Sequence, residues 1–335
     1  MTGFGSRTGD AEPAWLAVLR ALSADGWTSG EELAARAGVT RAAIWKQVGA
    51  LEERGIPIDR SRGRGYRLTA PVQLLDAGAL GAAIAASCGP YPVRVLAETA
   101  STNSWLRTAV KAGGIANGTV CVAESQHAGR GRRGRAWAAA AARNVALSVY
   151  WRFASGLGAL GGLSVAIGAA IAEALEPGGA EISLKWPNDL ITPDGKLGGI
   201  LIEADGEMDG PADVIVGIGV NLDQPGDSRI DQAWTDLAGL TGAPVDRNAV
   251  TAAIAAATLT GLARFEDAGL VPFLATWDRR DALRGRHVRV TGLATGLRGM
   301  AVGIGPEGQL LVDTGAGIEG VHGGEISVRS AAAEP

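Results

Sequence analysis

Near the start of the chain, apolar residues recur at helical spacing. Trp15, Val18, Leu19 and Leu22 fall at i, i+3, i+4 and i+7 and predict a helix opened by Pro13. Ser29 with Glu32 three residues on is a capping box that starts a second short helix, and Gly38 supplies its left-handed stop. Thr40 caps a third helix with Ile44, Val48 and Leu51 inward, and Gly55 ends it. Two strand-like pieces at 56–59 and 66–68 follow, joined by R-S-R-G-R-G at 60–65. Helix, helix, tight turn, helix and basic hairpin predicts a winged helix-turn-helix over 13–70, behind a small, polar, Gly-rich tail over 1–12.

After Pro71 an Ala/Gly helix over 74–87 reads as a linker or as the first element of the next unit; the linker region is set at 71–92. From Val93 the pattern changes to short apolar strands at 93–96, 119–123, 145–151, 182–186, 199–203 and 214–220, with helices near 101–112, 158–175 and 248–268. That predicts an α+β unit over 93–283, a usual size for a catalytic domain. From residue 284 strand-sized pieces at 287–290, 299–304, 309–313 and 325–328 alternate with Gly turns and predict a small all-β barrel over 284–330.

Composition adds bounds. The chain has 335 residues, 47% of them hydrophobic and 20% charged, enough to bury real cores and too long for one ordinary domain. Its 50 glycines, about twice a typical share, follow no collagen period and so belong to turns, caps and close approaches. The formal charge of -4 conceals a basic island: residues 36–67 hold Arg36, Arg41, Lys46, Arg54, Arg60, Arg62, Arg64 and Arg67 against Glu52, Glu53 and Asp59. The island lies on the third helix and the wing, where phosphate contact requires it, and Arg41, Lys46, Arg62 and Arg64 are the candidate DNA contacts. The alternative is a winged helix that docks a protein or regulates. Cys88 and Cys121 have no metal-ligand spacing, and His127, His287 and His322 are scattered, so no metal site is expected. No leader pattern or membrane-spanning run is read, and the expected location is cytoplasmic.

The strongest chemical signal is G-R-G-R-R-G-R at 129–135. As G-x-G-x-x-G it suggests a dinucleotide loop, but 136–142 has no apolar helical stripe, and the same pattern at Gly303, Gly305 and Gly308 is a strand turn. Arg130, Arg132, Arg133 and Arg135 on a pliant backbone suit phosphate oxygens, and equally suit a solvated basic loop or a nucleic-acid patch. Context favours phosphate. K-W-P-N-D at 185–189 ends a strand on Lys185, K-L-G-G-I-L starts at Lys196, V-I-V-G-I-G-V-N ends on Asn221, and Ser101, Thr102 and Asn103 form a polar cluster before a helix.

In this order, S-T-N at 101–103, Gln126, the Gly/Arg loop with Trp137, K-W-P-N-D, K-L-G-G-I-L, G-I-G-V-N at 217–221 and G-G-E-I-S-V-R at 323–329 resemble the bacterial biotin–protein ligases of the bifunctional type, which also repress the biotin operon. S-G-E-E-L-A and T-R-A-A-I-W-K resemble that family's DNA-binding part, so the resemblance spans 13–330. It implies an α+β fold: an N-terminal winged helix-turn-helix, a central mixed-sheet catalytic domain of the class II synthetase/biotin ligase type, and a C-terminal small SH3-like β-barrel. It also implies activation of biotin by ATP to biotinyl-5′-AMP, with Mg2+ accompanying the nucleotide on unassigned ligands, and transfer to a lysine of a biotin carboxyl carrier protein. Operator DNA and a homodimer formed with the adenylate are the other implied partners. By the same resemblance Lys185 and Arg132 are catalytic. Ser101, Thr102, Asn103, Gln126, Arg130, Gly131, Arg132 and Lys185 take biotin, and Gly129, Arg130, Arg132, Arg135, Trp137, Lys185 and Asn221 take ATP or the adenylate. A ligase of the same fold for lipoate or another acyl group is the alternative. Two departures stand out: His127, and the alanines 138–142 followed by Arg143 where the family carries a bulkier stretch.

Overall fold

A computed structural model describes residues 12–224, 232–292, 296–323 and 327–330. The tail at 1–11, and residues 324–326 of the last predicted strand and motif, lie outside them. The first unit is α1 (Ala14–Ala21), α2 (Gly30–Ala37), α3 (Arg41–Glu53) and the hairpin β1 (Ile58–Ser61) with β2 (Gly65–Leu68). The capping signals act as read: Ser29 accepts from the Glu32 amide, Thr40 from the Ala43 amide, and Gly38 sits at φ +66°. Trp15, Val18, Leu33, Ile44, Val48, Leu51, Ile56 and Leu68 close a core of their own. At Gly65, with φ +104°, a side chain would lie 2.0 Å from the Thr28 carbonyl, because residue 28 bridges to Tyr66 beside the hairpin.

The central unit runs α4 (Ala77–Cys88), β3 (Val93–Thr99), α5 (Thr102–Lys111), β4 (Val120–Gln126), β5 (Asn144–Phe153), α6 (Leu163–Leu175), β6 (Ser183–Lys185), β7 (Asp189–Thr192), β8 (Gly195–Gly206), β9 (Ala212–Asn221), α7 (Leu237–Thr241), α8 (Arg247–Ala268) and α9 (Val271–Arg280). Its seven strands order as β3-β4-β5-β9-β8-β7-β6, parallel only between β3 and β4. Alternation along the strands sends Val120, Val122, Val149, Val214 and Val216 under α4, α6, α8 and α9. Cys121, Tyr150 and Ile215 point to the other face and meet Leu106 of α5. Leu80 and Ile84 of α4 belong to this core, so α4 packs as an element of the central unit.

Sequence pattern and structure differ where elements are short or begin on glycine. β7 and α7 are too short to show a period, and α9 carries Pro272 in its first turn, which reads as a breaker yet is tolerated there. β8 begins at Gly195 rather than at 199, and α6 begins at Leu163 because Gly162 turns left-handed just before it.

The last unit is an antiparallel sheet of β10 (His287–Thr291), β11 (Leu297–Ile304), β12 (Leu310–Asp313), β13 (Ile318–Val321) and β14 (Ser327–Ser330), ordered β13-β12-β11-β10-β14. β13 had no counterpart in the pattern. Gly303, Gly305 and Gly308 do form the β11–β12 turn, and it is pressed on the central unit. A side chain at Gly308 would lie 2.2 Å from the Gly162 Cα, and the Trp186 indole donates to the Gly308 carbonyl at 2.9 Å.

Among the described residues, one ion pair is fully inside. Arg247 at the start of α8 pairs with Glu124 of β4, their side chains 4% and 2% exposed, and burial holds the guanidinium below its usual pKa. Arg247 also donates to the carbonyls of Gln73 and Asn144, while the other Glu124 oxygen accepts from the Leu75 amide at 2.6 Å. Arg247→Ala strands a buried carboxylate and should cost about 3–5 kcal/mol in urea unfolding; a loss below about 1 kcal/mol would mean that the pair is not what holds this region.

Candidate functional site

A cavity of about 830 Å³ opens on the α5 side of the sheet. It gathers Ser101, Thr102, Asn103, Gln126, Arg130, Gly131, Arg132, Arg135, Trp137, Lys185 and Asn221 in one place, drawn from positions 120 residues apart. Of the pocket residues expected from sequence, only Gly129 is not in the lining, and it lies buried at the root of the loop that forms the cavity wall.

At one end, Ser101, Thr102 and Asn103 are buried at the start of α5. Ser101 occupies the N-cap position but makes no capping bond; Gln126 of β4 replaces it, its Oε1 accepting from the Thr102 amide at 2.8 Å. Asn103 Nδ2 donates to Glu203 at 2.8 Å, and Ser148 Oγ lies 2.6 Å from both Asn103 Oδ1 and Thr102 Oγ1. This chain of donors and acceptors fixes each amide and hydroxyl for a small polar head group.

The middle is cationic. Lys185, at the end of β6, reaches the cavity and forms no ion pair among the described residues, leaving its ammonium free for an anion. Arg132 donates to Asn188 Oδ1 at 3.1 Å, and burial lowers its pKa while Asp189 pulls it back up. Lys196 also lines the cavity, its Nζ 2.7 Å from Asp189 and 5.8 Å from the Trp137 ring centroid. Sequence reasoning quoted Lys196 within its motif and gave it no role; a lysine seven residues past the aspartate of K-W-P-N-D was the signal. The Gly/Arg loop closes on itself through the Gly131 amide to the Arg135 carbonyl (2.8 Å), with Arg133 left-handed at φ +59°.

The other end is aromatic, formed by Trp137, Trp234 and the buried Asn221, whose amide donates to the Thr235 carbonyl at 3.0 Å. The two β9 glycines explain the spacing G-I-G-V-N. A Cβ on Gly217 would sit 2.3 Å from Asn103 Oδ1, and one on Gly219 would sit 2.5 Å from Trp137. The close approach at both glycines is made by the protein's own side chains.

The alanines after Trp137 do pack, but on the winged helix. Ala141 and Ala142 are buried in its core, the Ala141 amide donates to the Arg54 carbonyl, and Arg54 forks onto Glu98 of β3 at 3.0 and 3.1 Å. His127 is mostly exposed, 4.0 Å from Glu98. On the opposite side, the basic island divides in two. Arg36, Arg54, Arg60 and Arg67 are paired with Glu32, Glu98, Glu52 and Asp59. Arg41, Lys46, Arg62 and Arg64 are exposed and form no ion pair among the described residues. Trp45, 69% exposed on α3, stands among them and was not singled out from sequence.

Among the described residues there is no group of three potential metal-ligating side chains, and no helix is long and apolar enough to cross a membrane. The biotin/lipoate A/B protein ligase family matches residues 95–221, an HTH domain matches 15–67, and the biotin protein ligase C terminal domain matches 284–329. The bifunctional ligase/repressor BirA of Salmonella typhimurium is 39% identical over 320 residues, 94% of this chain and 97% of its own. A biotin–[acetyl-CoA-carboxylase] ligase of Mycobacterium tuberculosis is 35% identical, over 72% of this chain and 91% of its own. Among solved structures, the biotin protein ligase from Aquifex aeolicus in complex with biotin and ATP superposes with a TM-score of 0.61 at 28% identity, covering 72% of this chain and 99% of that one.

Steric space on β9 is directly testable. Gly217→Ala and Gly219→Ala should each destabilise the chain by about 1–3 kcal/mol in urea unfolding, because Asn103 or Trp137 must move; unfolding curves matching wild type would show that neither residue is set by that space.

Proposed function

The chain belongs to the biotin protein ligases of the bifunctional ligase/repressor type, and from that premise we propose how its residues divide the work. It activates biotin with ATP and transfers the biotinyl group to an acceptor protein, and its winged helix-turn-helix binds DNA. The observation that carries the residue assignment is the three-part cavity: a hydrogen-bonding end, a cationic centre with the unpaired Lys185, and an aromatic end. Biotin is a small bicycle with a urea head and a carboxylate tail. The urea belongs at Ser101, Thr102, Asn103 and Gln126, and the tail then reaches Lys185, Lys196 and Arg132. The adenine belongs beside Trp137 and Asn221.

In the first step a biotin carboxylate oxygen bonds to the α-phosphorus and the bond to the pyrophosphate oxygen breaks, giving the mixed anhydride. Two anions must approach, so fixed cations at the phosphorus lower the barrier. Lys185 and Arg132 take that role, Arg130 and Arg135 flank it, and Gly129 and Gly131 let the loop backbone come close. In the second step the acceptor lysine amine attacks the biotinyl carbonyl and AMP leaves. The loop excludes water, which would otherwise hydrolyse the anhydride. Mg2+ would arrive on the nucleotide's phosphates, since among the described residues Asp189 is the one carboxylate lining the cavity and Lys196 already pairs with it.

The acceptor is a biotin carboxyl carrier domain and the DNA is an operator of biotin genes, bound as an adenylate-dependent dimer. Arg41 and Lys46 of α3 and Arg62 and Arg64 of the wing supply the phosphate contacts. Residues 13–70, 93–283 and 284–330 are taken as the DNA-reading, catalytic and C-terminal units, joined through 71–92.

Two outcomes are expected. Lys185→Ala should lower biotin-dependent ATP–pyrophosphate exchange about 100- to 1,000-fold, the scale of losing one preorganised contact to developing charge; exchange within threefold of wild type would move the role to Lys196 and Arg132. In mobility shifts on the DNA upstream of the biotin genes, Arg62→Ala with Arg64→Ala should flatten the slope of log affinity against log salt by about 2. Arg36→Ala, whose charge is already paired, should leave the slope unchanged; equal slopes for all three proteins would remove the wing from the interface.

A further inference from the structure

Glu203, on β8 outside the cavity lining, gathers three side chains on one carboxylate. Its Oε2 accepts from Asn103 Nδ2 at 2.8 Å, and its Oε1 meets Arg107 of α5 and Arg130 Nη2, the latter at 3.4 Å. Arg130 is the first arginine of the Gly/Arg loop and also donates to Ser104 Oγ at 3.1 Å. The loop is thus tied to both walls of the cavity, through Arg130 to Glu203 and Ser104 on one side and through Arg132 to Asn188 on the other. Just past the second tie the loop is exposed and carries two consecutive left-handed residues, Arg133 and Gly134.

We propose that Glu203 is a positioning residue that couples the head-group end of the cavity to the loop that covers its centre. One carboxylate oxygen orients the Asn103 amide, and the other anchors the loop through Arg130. The Asn103 amide is already directed on its other side by the Ser148 hydroxyl, and its nitrogen also faces the Leu201 carbonyl at 3.5 Å. A neutral hydrogen-bond acceptor at position 203 is therefore enough to keep the amide in place. The anchor is different: a guanidinium at 3.4 Å is held by charge, which an amide does not replace. The two roles separate chemically, and this separation makes the proposal testable. It rests on the ligase reading, so wild-type biotin-dependent ATP–pyrophosphate exchange is measured first and checks that reading on its own.

In Glu203→Gln the biotin KM should stay within about threefold of wild type, while escape of biotinyl-adenylate, read as labelling of lysines on a non-acceptor protein, should rise about tenfold. Glu203→Ala should raise both quantities. Arg130→Gln, which also loses the Ser104 contact, should raise escape at least as far as Glu203→Gln, and the double variant should raise it no further than Arg130→Gln alone, since both remove the Arg130–Glu203 anchor. Arg107→Ala, which leaves the Arg130 contact standing, should keep wild-type escape. The proposal is overturned if Glu203→Gln retains the adenylate as wild type does, or if the Glu203→Gln and Arg130→Gln effects multiply. If Glu203→Gln does not fold, unchanged escape in Arg130→Gln alone overturns it.

Discussion

The buried pair of Arg247 and Glu124 is the constraint on which the arrangement of the rest depends. Two opposite charges taken out of water are tolerated only when every remaining donor and acceptor is used. Here those spare bonds reach the connection after the winged helix at Gln73 and Leu75, the start of β5 at Asn144, and β4 itself. The Glu124 carbonyl also accepts from the Ala142 amide, which closes the segment that begins at the Gly/Arg loop. One charge pair therefore sets where the N-terminal unit leaves the core and where the loop re-enters it.

Between these fixed points, electrostatics and steric space share the functional surface. The chain is acidic overall, yet among the described residues Arg41, Lys46, Arg62 and Arg64, which form no ion pair, gather on α3 and the wing, and Lys185 stands unpaired in the cavity. Half the cations of the basic island are neutralised by carboxylates, and those from Glu32 and Glu98 lie outside the island itself. On the sheet, Gly217 and Gly219 do the complementary work by omitting side chains, which admits Asn103 and Trp137 to positions that an alanine would occupy.

The legible parts of the molecule were those with a local cause. A Ser or Thr four residues ahead of an apolar stripe, or a glycine after one, caps a helix through bonds within a single turn, so α2 and α3 could be placed from sequence. The site residues could be named because several spaced motifs occurred together, while their assembly came from β9, β8, β7 and β6 lying side by side in that order. β7, β13, α7 and α9 were missed because three of them have five residues or fewer and the fourth opens on a proline. The alanines at 138–142 carried no signal at all. Small side chains leave no periodic trace, and what decides their role is a neighbour 90 residues earlier, the end of α3.

Sequence alone thus determined the order of the three units, the caps and turns, and the residue types that could meet a phosphate or a polar head group. Each of these follows from interactions within a few residues or from charge composition. The tertiary structure decided which charges stay free, which glycine makes room for which side chain, that Lys196 belongs with Lys185, and that Glu203 stands between Asn103 and Arg130. Most of those are relations between residues far apart in the chain, and only the pairing of strands and the burial of the core bring them within reach of one another.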